Sequence, residues 1–198
     1  MQSKKKRRGG ELARMGSIFS RAPDGKKTLA LFIASNLVNL YMLTVTIPQL
    51  TQYSGGLKPF DVMTQGYDID YARAFLTNLG AEGRSYYLGR HLALDMVYPA
   101  LYASGGAAAW LWLLSKTSLS GTVLGWIAVL PLLSGGADYI ENALQITMLV
   151  QFPEVSATVT KLGSMATMLK SSVMTVFIVL LVLLVCTVGV RKWRSRQR

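Results

Sequence analysis

The chain has 198 residues, of which 51% are apolar and 16% charged, and its mean hydropathy is +0.33. A soluble domain carries about 25% charged residues, so this composition excludes an ordinary soluble domain and favours an integral membrane protein. The net charge of +11 is concentrated at the two ends: residues 1–27 carry +7, residues 191–198 carry +5, and residues 28–190 carry −1. A nucleic-acid-binding domain places its basic residues on a folded face, so no nucleic-acid partner is expected. The single cysteine, Cys186, excludes a disulfide framework and a cysteine-based zinc site.

Four apolar stretches are long enough to cross a bilayer, which takes about 20 helical residues. They lie at about 28–47, 91–114, 121–150 and 165–190. The first is predicted to end before Pro48, because proline interrupts the hydrogen bonds of a helix. The sequence therefore predicts an all-α, multi-pass fold: an antiparallel bundle of four transmembrane helices between two basic tails.

The charge of the loops predicts the orientation of this bundle. Both tails are strongly basic, whereas the 48–90 loop has balanced charges, so the tails are expected in the cytosol and the loop on the opposite side. The first span is predicted to be retained, since no small-x-small cleavage site precedes Pro48. The solid block KKKRR is unlike an amphipathic mitochondrial presequence and favours the plasma membrane or an endomembrane. We expect the tails to bind anionic lipid headgroups, and other membrane subunits are further candidate partners.

The 48–90 loop is too long for a simple connection and is expected to have structure of its own. A short amphipathic helix is predicted to start at Asp68 or Asp70, where aspartate can cap its first turn, and to stop at Gly80. One face of this helix is apolar, so it could lie on the membrane surface or form a lid over the bundle. The apolar face consists of Ile69, Ala72, Leu76 and Leu79.

Several polar side chains fall inside the predicted spans, where ionisable groups are costly and are functional candidates by default. Tyr102 continues a polar face of the second span, and Gln145 continues one of the third. Counting 1.5 Å per residue from the span ends places the candidates in one layer, in the outer half of the bundle, so they are predicted to converge. This candidate cluster consists of Asn39, His91, Asp95, Tyr98, Asp138, Glu141, Asn142 and Lys170.

The charges of this cluster suggest what it does. Three carboxylates would face one lysine and one histidine, so either one carboxyl is protonated or a cation completes the site. Asp138 and Glu141, at i and i+3, can share a proton, an amine or a metal ion, and His91 and Asp95 could add ligands. We also expect Lys170 to pair with these carboxylates of the third span.

Three functions follow from this cluster. The first is binding of a cation, a proton or a polar headgroup. The second is a structural or assembly subunit in which the same residues only lock the helices together. The third is an intramembrane hydrolase or lipid-modifying enzyme that uses paired carboxylates as acid and base. No P-loop, Gly-x-Ser-x-Gly, His-Glu-x-x-His or Cys-x-x-Cys motif occurs, so the sequence predicts no cofactor and leaves enzymatic activity open.

Short motifs within residues 65–175 form a further pattern. They read Gly-Arg, Asp-x-x-Tyr-Pro-x-x-Tyr, Asp-x-x-Glu-Asn and Thr-x-x-Lys, and they begin at Gly83, Asp95, Asp138 and Thr167. This pattern resembles a family of small, uncharacterised four-span membrane proteins. The resemblance implies the four-span fold and a shared polar cluster, but no activity. It also adds Arg84 to the candidate residues, where Arg84 and His91 would guard the entrance to the cluster.

Overall fold

The computed structural model describes residues 22–120 and 122–197, so the basic block near the N-terminus lies outside the described residues. The described residues form helices and their connections, with no β-strand among them, which confirms the all-α class. Within this part of the chain, three helices are long and apolar enough to cross a membrane: Gly25–Tyr53, Val123–Gln151 and Ala157–Arg196. The helices in chain order are α1 (Gly25–Tyr53), α2 (Ile69–Asn78), α3 (residues 80–95), α4 (Tyr98–Leu114), α5 (Val123–Gln151) and α6 (Ala157–Arg196).

Helix α1 is longer than the first predicted span. The side chain of Asp24 accepts a hydrogen bond from the Lys26 amide and caps its start. The prediction that the span ends before Pro48 is wrong, because the helix continues to Tyr53. A π-helical turn over Met42–Thr46 separates two α-helical segments, and Pro48 lies in the first turn of the second segment. Proline is tolerated there, since its missing amide is not needed in a first turn.

The second predicted span, 91–114, is divided in the structure. Residues 91–95 are the end of α3, which begins at residue 80, and a turn at Met96 and Val97 precedes α4. Pro99 occupies the first turn of α4 and has no amide to donate to the carbonyl of Asp95, so the helix breaks here. Helix α4 has 17 residues and is about 26 Å long, slightly shorter than a hydrocarbon core of about 30 Å.

Helices α5 and α6 cover the third and fourth predicted spans. Helix α5 opens with a 3₁₀ segment over Val123–Ala128 and then continues as an α-helix to Gln151. Helix α6 has 40 residues and runs through Arg196, so most of the predicted C-terminal tail at 191–198 is the last two turns of this helix. Lysine and arginine are good helix formers, and no glycine or proline interrupts them there.

The short helix predicted in the long loop is α2. It begins after Asp68, whose carboxylate accepts a hydrogen bond from the Tyr71 amide, and ends before Gly80, which has a φ of +63°. Its apolar face packs inside the protein: Ala72, Phe75 and Leu76 are buried in a core that also contains aromatic residues of the preceding loop and of α3. Helix α2 is therefore a lid over one end of the bundle.

The long helices pack in the order α1, α4, α5, α6, and α4 also contacts α6. The start of α1 and the end of α6 lie at the same end of the bundle, beside the end of α4 and Ser118. A methyl group on Gly25 would collide with the Trp112 ring, and the Arg191 guanidinium donates to the Ser118 hydroxyl. The start of α6 and the 54–68 loop lie at the opposite end.

Candidate functional site

Lys170 of α6 joins two carboxylates of α5. Its ammonium lies 2.8 Å from Asp138 Oδ1 and 2.6 Å from Glu141 Oε2, which confirms the predicted pairing. The two acids are spaced at i and i+3 and so face the same side of α5. The cation that the two acids share is thus the ammonium of Lys170, which is part of the protein itself. All three side chains are largely buried, Glu141 completely and Lys170 at 13% exposure.

Neutral side chains complete this ion-paired group. The Tyr102 hydroxyl of α4 donates to Asp138 Oδ2 at 3.0 Å. Glu141 Oε1 accepts hydrogen bonds of 2.8 Å from the Thr167 hydroxyl and from the Gln145 amide. The group therefore links α4, α5 and α6. The two carboxylates that a hydrolase would use as acid and base are already paired with Lys170.

Asp61 belongs to the same polar region, although it lies in the 54–68 loop and the sequence indicated only a loop charge. Its Oδ2 accepts from the Tyr87 hydroxyl at 2.9 Å and lies 3.2 Å from His91 Nε2, and its Oδ1 accepts from Gln145 at 3.2 Å. Burial opposes ionisation of Asp61, but His91, the nearby Lys170 charge and the Tyr87 hydrogen bond outweigh it and hold the pKa of this carboxyl well below its usual value. Asp61 therefore adds a fixed negative charge to the cluster.

His91 is fully buried rather than placed at an entrance. Its Nδ1 lies 2.7 Å from the Thr46 hydroxyl, and its Nε2 faces Asp61. Thr46 ends the π-helical turn of α1, and His91 ends a second π-helical turn, Tyr87–His91, in α3. Such turns are frequent at functional sites because they redirect side chains out of the regular helical pattern. Here they bring a hydroxyl, an imidazole and a carboxylate into one hydrogen-bonded chain.

Asp95 differs from the other acids. Its side chain is 2% exposed, and its Oδ2 atom is buried with no hydrogen-bond partner among the described residues. The carbonyl oxygen of the same residue, which Pro99 leaves without a helical donor, accepts a hydrogen bond of 2.9 Å from the Asn142 side chain. The backbone of Asp95 is thus held in place while its carboxylate lacks a protein partner.

A cavity of about 410 Å³ lies next to this carboxylate, between α1 and α6 with α4 behind it. The size is within the range of small-molecule sites, about 300–1,000 Å³. Its wall is polar toward the 54–68 loop and apolar toward the other end of the bundle. Polar wall residues include Asn39, Asp61, Asp95, Tyr98, Asp138 and Lys170.

Arg84 lies apart from the cluster. Its guanidinium donates to the carbonyl of Leu76 at 2.9 Å and lies 4.1 Å from the centroid of the Phe152 ring. It therefore fastens the lid helix α2 to the α5–α6 connection. The structure does not place Arg84 or His91 at an entrance to the cavity, whereas it brings the other candidates of the sequence to the cluster or to the cavity wall.

Within the described residues, no group of three or more histidine, cysteine, aspartate or glutamate side chains is arranged to hold a metal ion. Neither a protein-family model, nor a curated protein, nor a solved structure matches the chain. The geometry of the site is therefore the basis for assigning its chemistry.

Proposed function

We propose that the chain is a four-span integral membrane protein that binds a positively charged group, a cation or a cationic headgroup, at Asp95. The observation that carries this proposal is the buried Asp95 carboxylate, which has an unpartnered oxygen and lines a cavity. An ionised carboxylate in an apolar surrounding is costly unless a counter-charge approaches it. The cavity gives such a counter-charge room to bind.

The balance of charge supports a positive ligand. Four carboxylates, those of Asp61, Asp95, Asp138 and Glu141, face the cations of Lys170 and, when it is protonated, His91. Asp95 interacts with the charges of Asp61, Asp138 and Lys170, so these groups act as one electrostatic unit. With all four carboxyls ionised, the unit has an excess of negative charge, which attracts cations and repels anions.

Four spans are supported by the packing of α4. It packs between α1 and α5 and has a high content of apolar residues. It is shorter than α1, α5 and α6, the three helices that are long and apolar enough to cross a membrane by themselves. Large apolar side chains of α1 and α6 are exposed, among them Leu37 at 62% and Leu183 at 59%, as expected for helices in lipid. We propose that the end at which α1 starts and α6 ends faces the cytosol, because the sequence segments that flank it are basic.

The orientation can be tested with single cysteines on a Cys186→Ser background. Ala22→Cys and Gln197→Cys, at the exposed ends of the described chain, should react with a membrane-impermeant maleimide from the cytosolic side. Thr64→Cys, which is exposed in the 54–68 loop, should react only from the opposite side. Labelling of all three from the same side would contradict the four-span topology.

Binding of a cation can be tested by thermal unfolding of the full chain in phosphatidylcholine nanodiscs. Saturating methylammonium chloride should raise the melting temperature of the wild type. A ligand at 100 times its Kd adds about 2.7 kcal/mol, which corresponds to roughly 5–10 °C for a chain of this length. The Asp95→Asn variant should lose this shift, whereas the control Asp70→Asn, which changes an exposed acid of α2, should keep it. Equal shifts in wild type and Asp95→Asn would overturn the proposal.

A structural lock is a second candidate function, and one observation favours it. Lys170, Asp138 and Glu141 satisfy one another together with Thr167 and Tyr102, without any ligand. In that case Asp95 would contribute to the same lock, and its replacement would weaken the fold.

A further inference from the structure

We propose that the ligand is an amphiphile with a positively charged amine, which binds its amine at Asp95 and its hydrocarbon chain along the apolar part of the cavity. This inference rests on the proposed function, the binding of a positive group at Asp95. It adds the class of ligand and the route by which the ligand reaches the site.

The head end of the cavity combines a carboxylate with two aromatic rings. Tyr98 and Tyr102 line the cavity with Asp95, and their ring centroids are 4.8 Å apart. The hydroxyl of Tyr102 is already bonded to Asp138, so its ring rather than its hydroxyl is the part left for a ligand. An ammonium group gains energy from aromatic faces and from a carboxylate at the same time. This combination favours an amine over an anionic or neutral headgroup.

The other end of the cavity is apolar and extended. It is lined by Phe32 of α1, Ala109 of α4 and Leu181 of α6. Lys170 lines the polar end, and the twelve residues from Lys170 to Leu181 span about 17 Å along α6. A hydrocarbon chain whose headgroup lies at the polar end can therefore follow the apolar lining over this length.

The side of the cavity lies between α1 and α6 and faces the surroundings of the bundle. Three of its lining residues are about half exposed: Phe32 at 53%, Leu43 at 51% and Ile178 at 51%. They belong to helices that are long and apolar enough to cross a membrane, so this side faces hydrocarbon. A molecule that has already dissolved in the bilayer can therefore move sideways into the cavity.

The test is the binding of radiolabelled dodecylamine to the full chain in phosphatidylcholine nanodiscs, measured as the excess over empty nanodiscs. We expect saturable binding with one site per protein, weakened at least tenfold by Asp95→Asn. Ala109→Phe, which fills the apolar part, should also weaken binding at least tenfold, whereas Ala108→Phe, beside it and outside the cavity wall, should not. If Ala109→Phe does not fold, as judged by its melting curve, Ala109→Leu provides the same comparison.

Competition separates this inference from the proposed function. Methylammonium should compete with dodecylamine at least tenfold more weakly than unlabelled dodecylamine does. Equal competition would overturn the amphiphile and leave the cation site intact. Absence of saturable binding of either amine would overturn both proposals.

A neutral competitor tests the class of amphiphile. Dodecanol should compete at least tenfold more weakly than dodecylamine, and equal competition would overturn the requirement for a positive charge.

Discussion

Replacing Lys170 with methionine is expected to lower the free energy of unfolding by about 3–5 kcal/mol, the usual cost of removing one partner of a buried ion pair. The ammonium bridges Asp138 and Glu141, both nearly inaccessible to solvent, so its removal leaves two carboxylates close together without a counter-charge. The measurement is a denaturant titration of the full chain in lipid–detergent micelles. Lys161→Met is the matched control, because Lys161 is an exposed residue of the same helix and its loss should cost less than about 0.5 kcal/mol.

A double-mutant cycle shows whether this loss comes from the ion pair. Adding Glu141→Gln to Lys170→Met removes one of the two stranded charges, so the double variant should recover part of the stability. The recovery should be incomplete, because Asp138 remains unpaired and the Thr167 and Gln145 hydrogen bonds to position 141 are weakened. Strictly additive losses would show that Lys170 and Glu141 do not interact, and would contradict the site geometry.

The sequence predicted those parts of the fold that depend on local pattern. The 3.6-residue period places Asp138 and Glu141 on one face of a helix, and their depth matches that of Lys170, so their convergence could be predicted without coordinates. The start of α2 was predictable for a similar reason, since the Asp68 cap and Gly80 mark its limits within a few residues. These predictions use only helical periodicity, residue depth within a span and local capping signals.

The parts that were missed depend on contacts between distant segments. Asp61 lies in a loop whose charges are balanced, and only the folding of that loop over α3 and α5 brings it to His91 and Gln145. Arg84 carries a family-like motif, but its partners are a carbonyl of α2 and an aromatic ring from the α5–α6 connection. The continuation of α1 past Pro48 also depends on a π-helical turn, which has no reliable sequence signal.

Replacing Asp95 and Asp138 with asparagine, one at a time, is expected to change stability in opposite directions. Asp138→Asn removes a carboxylate that pairs with Lys170 at 2.8 Å, so the fold should lose about 1–3 kcal/mol. Asp95→Asn replaces a buried carboxylate that has an unpartnered oxygen by a neutral amide of the same shape, so the fold should gain on the order of 1 kcal/mol.

The sign of the Asp95→Asn effect separates the two candidate functions. A residue that only locks the bundle contributes to stability, and its replacement lowers the melting temperature. A ligand-binding residue is retained at some cost to stability, and its replacement raises the melting temperature of the ligand-free protein while removing the response to methylammonium. The measurement is the melting temperature of both variants in nanodiscs with and without methylammonium, with Asp70→Asn as the control for the loss of an exposed charge. The melting temperature of Asp95→Asn could instead fall as far as that of Asp138→Asn. A carboxylate with no protein partner cannot stabilise the fold to that extent, so this result would assign Asp95 to the structural lock.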